Sequence, residues 1–87
     1  MATTTYSLTN TWSSSARYTS SGSNDVRVSN PNDNVAIFFT LTNSDSAPST
    51  DPAGSNKLLP GDKETIALSD GDRLWVSGQT GFAALEV

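Results

Sequence analysis

The chain has 87 residues, a formal net charge of −4, and neither cysteine nor histidine. That length allows one domain with a thin core, since a chain this size buries only about 60–65% of its extended surface. The composition excludes disulfide staples, thiolate and imidazole metal ligands, and the Ser-His or Cys-His pairs of nucleophilic hydrolases.

In chain order, Thr4, Tyr6 and Leu8 alternate with Thr3, Thr5, Ser7 and Thr9. This predicts a first strand over about 3–9, the other reading being a disordered Ser/Thr-rich arm over 1–25. Residues 10–25 are loop-like around two aromatics, Trp12 and Tyr18. Tyr18 is expected to plug the end of a sandwich. Trp12 either does the same or serves as an interface anchor. Asp25 to Ser29 puts Val26 and Val28 on one face and predicts a short strand. The cluster 30–34, Asn-Pro-Asn-Asp-Asn, is a turn. Val35 to Thr42 is the strongest strand, with Val35, Ile37, Phe39 and Leu41 on one face and Phe38 on the other. Phe38 there covers a second apolar layer or meets another subunit. The pair Val26–Thr42 reads as a hairpin.

Residues 43–56 are polar and without period, and are read either as a partner-contacting loop or as a crossover between sheets. From Leu59 onward three apolar runs are separated by turn signals: Pro60-Gly61, Asp70-Gly71 and Gly78 to Gly81. Such punctuation predicts a C-terminal three-stranded antiparallel meander of 63–68, 72–77 and 82–87. Leu74, Val76 and Leu85 are expected inward. Trp75 and Phe82 are expected outward, either paired across the hairpin as a contact surface or covered by a loop or the N-terminal arm, and the edge at Val87 is a place where a neighbour could pair. The expected fold is all-β: a small antiparallel β-sandwich or jelly-roll-like barrel of six to seven strands, with 1–25 as an arm or first strand and 26–87 as the β-sandwich domain.

Little in the sequence points to chemistry. Asp70 and Asp72 flank Gly71, yet no calcium-loop pattern surrounds them and turn geometry accounts for both. No phosphate loop is present. The expectation is a non-enzyme without cofactor. Arg17, Arg27, Lys57, Lys63 and Arg73 are scattered, which argues against nucleic acid as a partner. The longest apolar run, 35–39, is too short to span a bilayer, and 1–5 has neither the charge nor the apolar run of a signal peptide. A domain this small without disulfide or metal staples is expected to gain stability by oligomerisation. The candidate partner-binding residues are Tyr6, Trp12, Phe38, Trp75 and Phe82.

The succession Leu58-Leu59-Pro60-Gly61-Asp62-Lys63-Glu64-Thr65-Ile66, then Asp70-Gly71-Asp72-Arg73-Leu74-Trp75-Val76, then Gly78-Gln79-Thr80-Gly81-Phe82-Ala83-Ala84-Leu85 resembles small accessory proteins of tailed bacteriophages. Upstream, Val26-Arg27-Val28-Ser29-Asn30 followed by Val35-Ala36-Ile37-Phe38 is similar to their opening. The resemblance covers 26–87 and is a pattern of strands and turns. It implies a virion component, a capsid decoration or cement protein, often trimeric, seated on the major capsid protein. The other reading is a phage tail or host-surface module that binds glycan through exposed aromatics.

Overall fold

The computed structural model describes residues 3–78 and 81–86. Eight strands form two four-stranded antiparallel sheets: β1 (Thr3–Ser7), β2 (Arg17–Thr19), β3 (Asn24–Ser29), β4 (Ile37–Thr42), β5 (Asn56–Leu58), β6 (Lys63–Leu68), β7 (Arg73–Gly78) and β8 (Phe82–Glu86). Sheet A has the order β1-β8-β3-β6 and sheet B the order β2-β7-β4-β5. The pairs β1–β8, β2–β7, β3–β6 and β4–β5 are those of one long hairpin folded at the β4–β5 loop. The pairs β3–β8 and β4–β7 are added when that hairpin rolls up. The result is the double-sheet jelly roll.

This topology corrects three expectations. The C-terminal meander does not form, because β6 and β8 lie in sheet A while β7 lies in sheet B. The Val26–Thr42 hairpin does not form either, since β3 and β4 belong to different sheets. Residues 43–55 join two paired strands of sheet B and cross nothing. Turn geometry explains the first correction. Asp62 N donates to Leu59 O and Asp72 N to Ser69 O, each at 3.0 Å, with Gly61 at φ 83° and Gly71 at φ 86° in the third position. These are type II turns. A two-residue hairpin favours primed turns, whose twist matches the strands, and the commonest of them needs φ > 0 at both central residues. Among the described residues only glycines have positive φ, so Asp70 does not meet that need. Each turn therefore carries the chain across to the opposite sheet.

The inward faces follow the alternation of the sequence. Val26, Val28, Leu68, Ala83 and Leu85 of sheet A meet Ile37, Phe39, Leu58, Leu74 and Val76 of sheet B, with Leu8 and Ala16 at the margin. Tyr6, Tyr18 and Ile66 pack against this core. Tyr18 thus plugs the sandwich as expected. Leu41 shares the inward face of β4 but is exposed near the strand's end. The two three-residue strands, β2 and β5, raise the count above the expected six or seven. The Gln79–Thr80 reversal and the Val87 edge lie outside the described residues.

Three buried polar side chains fasten the connections. Ser20 follows β2 and exchanges backbone bonds with the turn before β7, to Gly71 N and Asp72 O. Asn30 follows β3 and makes the same exchange with the turn before β6, to Gly61 N and Asp62 O. Ser77 Oγ donates to Thr9 O at 2.6 Å and holds the β1–β2 connection on the outside of sheet B. Asn30 does most. Its Nδ2 donates to Val35 O at 2.9 Å and to Leu58 O at 3.0 Å, and its Oδ1 accepts from Asn32 N and Asn32 Nδ2. All four positions of the amide are used. Replacing Asn30 by Ala removes both donors and the acceptor of Asn32 from a buried site and is expected to cost about 2–3 kcal/mol. Urea unfolding measures it; a loss below about 1 kcal/mol, the net value of one ordinary hydrogen bond, would contradict this role.

Candidate functional site

The outer faces of the two sheets differ. On sheet B the pairing aligns Phe38 with Ser77 and Lys57, Thr40 with Trp75, and Arg17 with Trp75 from the other side. Two connections roof this face. The β1–β2 segment crosses it through Ser77, and Trp12 Nε1 donates to Thr50 O at 2.7 Å, tying that segment to the 43–55 loop. Asp45 of the same loop pairs with Arg73 at 3.0 Å and with Arg17 at 3.6 Å. The Arg17 guanidinium lies 5.1 Å from the centroid of the Trp75 ring, a cation–π contact.

Trp75 is therefore not an exposed contact residue. It points outward from sheet B as its position in β7 requires, yet it is 2% exposed, with Nε1 donating to Thr42 Oγ1 at 2.8 Å. The expected Trp75–Phe82 pair does not exist, because the two residues sit on different sheets. The sequence pattern locates the outer face of β7 correctly. Of the two readings open for that face, a contact surface or one covered by chain, the second holds for Trp75. Trp12 is half-buried and serves to anchor the loop. Phe38 is half-buried beside Asn10, Thr11, Asp51 and Pro52 in a cleft of about 350 Å³ between the two roofing segments.

Among the described residues, no connection covers the outside of sheet A. Its outward positions on β1 and β8 are Thr3, Thr5 and Ser7 opposite Glu86, Ala84 and Phe82. Farther across the sheet, Arg27 pairs with Glu86. Phe82 is 48% exposed and stands at one corner of the face. That corner is fixed by the Asn30 network: Asn32 Oδ1 accepts from Phe82 N and its Nδ2 donates to Phe82 O, both at 2.9 Å. A Cβ on Gly81 would come within 2.5–2.7 Å of the Asn32 side chain, so a residue without one is needed there. Through Asn30 the same network holds the Pro60-Gly61 turn, beside which Leu59 is 52% exposed. Pro31, Leu59, Pro60 and Phe82 thus form an exposed apolar corner on a hydrogen-bonded base. The sequence pattern puts Phe82 outward and gives no sign of the other members of the corner, since Asn30, Asn32 and Pro60 read only as turn residues.

The aspartates of the turns are structural, as turn geometry suggested. Asp70 Oδ1 accepts from Gly22 N at 2.7 Å and Asp72 Oδ2 from Ser69 N at 2.9 Å. Among the described residues no three His, Cys, Asp or Glu side chains gather as metal ligands would. Tyr6, on the inward face of β1, is half-buried. Burial, and then the neighbouring Tyr18 hydroxyl, push its phenol above the usual value of 10.0.

Comparison of the chain with family models, characterised proteins and solved structures finds no match. Two outcomes check the placement of the aromatics. Trp75→Ala is expected to cost about 3–5 kcal/mol and Phe82→Ala less than about 1 kcal/mol, as buried and exposed aromatics do; similar losses for both, by denaturant unfolding, would refute the assignment. The fold favours the neutral form of Tyr6, so its contribution is full below pH 10 and is lost as pH rises through the folded value. Wild type should then lose stability more steeply than Tyr6→Phe above pH 10, and parallel slopes would count against it.

Proposed function

We propose that this protein is a structural binding module that braces a larger protein assembly, as the capsid decoration and cement proteins it resembles brace a phage shell. The observation that carries the reading is the apolar corner of Pro31, Leu59, Pro60 and Phe82, held by the Asn30–Asn32 bonds. Exposed apolar groups on a fixed base are what a docking surface needs, because little conformational freedom is lost when they are covered. The bare face beside them carries Thr, Ser and Ala, whose short side chains have little rotamer entropy to lose. In this reading the partner is a repeating shell built from a major capsid protein, the site of action is the virion, and the work is non-catalytic. Jelly rolls recur in viral capsid proteins, which is support by analogy of fold alone.

Magnitudes then require several copies. Phe82 and Leu59 are each about half exposed, and full burial of such a side chain gives about 1.5–3 kcal/mol, so covering the remainder yields about 0.75–1.5 kcal/mol apiece. That is small beside the roughly 4–15 kcal/mol cost of association. A single corner is a weak anchor, and a homo-oligomer presenting several of them gains by effective concentration. The resemblance implies a trimer.

A second reading is favoured by one observation, the cleft beside Phe38. An aromatic flanked by Asn10, Thr11 and Asp51 suits the apolar face and hydroxyls of a sugar ring. Co-sedimentation with the empty shells of the source particle, run beside a glycan array, separates the two. The assembly reading expects wild type to pellet with shells and Leu59→Ser/Phe82→Ala to lose at least about tenfold in affinity while still folding, its stability lowered by about 1.5–3 kcal/mol as the buried halves of the two side chains imply. Failure of wild type to bind shells, together with glycan binding abolished by Phe38→Ala, would replace it with the second reading.

A further inference from the structure

The four sheet edges are unequal. Sheet B ends in β2 and β5, each three residues long. Sheet A ends in β1 and β6, of five and six residues. Natural sheets protect their edges by shortness, charge or proline. β2 and β5 are short, and β6 begins Lys63-Glu64, both exposed. β1 has none of these protections. It reads Thr-Thr-Thr-Tyr-Ser, with Thr3, Thr4, Thr5 and Ser7 exposed and Tyr6 half-buried. Among the described residues no strand lies on its far side.

From this edge we infer that two copies of the chain associate by antiparallel pairing of β1 with β1 about a two-fold axis at Thr5. The strand is self-complementary in that register. Thr5 faces Thr5 of the second copy, Thr3 faces Ser7, and Thr4 faces Tyr6. On the outer face every cross-strand pair is hydroxyl to hydroxyl, an arrangement that stabilises antiparallel strands. On the inner face the Thr4 methyl meets the Tyr6 ring, covering an exposed position at the rim of the sandwich. No charged residue lies on β1, so no like charges are opposed. The two sheets A become one continuous eight-stranded sheet, four strands from each copy. An axis normal to that sheet leaves both bare outer faces on the same side, and with them both Phe82 corners. The pairing closes at two copies, unlike the trimer that the resemblance implies. It does not depend on what the assembled protein binds.

The test uses the full chain, in which an introduced cysteine is the only one. Wild type is expected to sediment at twice the chain mass from micromolar concentrations upward. Thr5→Lys places two ammonium groups face to face on the exposed side and is expected to halve that mass with an unchanged circular dichroism spectrum. Thr5→Cys is expected to give a covalent dimer with a short bismaleimide, while Thr65→Cys, outward on the β6 edge, gives none. A monomer throughout, a trimer insensitive to Thr5→Lys, or cross-linking of Thr5→Cys to Thr65→Cys in a mixture would overturn the pairing. Shell binding is followed in the same samples. A wild type that is monomeric yet binds shells refutes the pairing alone, and a wild type that is dimeric yet does not bind shells refutes the assembly reading alone.

Discussion

The Asn30 side chain is the point on which one end of the molecule depends. A jelly roll made from so short a chain must pass repeatedly between its sheets, and each passage leaves backbone groups that neither sheet satisfies. At this end the Asn30 amide reaches Val35 O, ahead of β4, and Leu58 O, at the end of β5, where Leu58 also pairs with Ile37. One buried amide supplies both donors and spends its oxygen on Asn32. Asn32 in turn clasps the backbone of Phe82 at the start of β8. An apolar residue at position 30 would fill the space and remove both donors, which is the costlier choice in a buried setting. Ser20 repeats the arrangement at the opposite end with a smaller side chain, bonding Gly22 O and Asn24 Oδ1.

How far the fold was legible follows from the range of each signal. Strand positions were read correctly wherever apolar residues alternate, as in Val26–Val28, Leu74–Val76 and Ala83–Leu85, because a pleated strand on a core imposes a period of two. Strand partners were misread wherever the turn between them was taken for a hairpin. Asp70-Gly71 fits either a primed turn or a type II turn, and only the φ of Asp70 decides between them. That angle is set by the rolled topology, which a local reading of four residues does not contain. β2 and β5 escaped notice because three-residue strands carry too little period to register.

The contact residues show the same limit. Trp75 lies on the expected face, and it is buried because Arg17, far away in the chain, lies over its ring and is itself paired with Asp45 of the 43–55 loop. Asp45 is 68% exposed, so its two ion pairs are worth little in themselves. Their role is positional: they keep the loop over the ring that Arg17 already covers. Phe82 faces outward and is exposed as expected, since none of the described residues folds over sheet A there. The apolar corner around it was not legible at all, since its members are separated in sequence and are gathered by the bonds of Asn30 and Asn32.

These features divide the labour between the two sheets. Sheet B carries the long connections on its outer face, and its edges are short. Any partner approaching it meets polar loops already bonded to the sheet beneath. Sheet A has the longer edges, the bare outer face and the corner whose backbone is fixed from below. A chain with so thin a core gains stability from whatever surface it buries on association. The surface that is both uncovered and already ordered is the one that loses least on being buried. Because β8 lies between β1 and β3, the strand that presents Phe82 outward also presents Ala83 and Leu85 to the core. A load on the outer face is therefore borne by the central strand of the sheet, whose inner side chains are packed against sheet B.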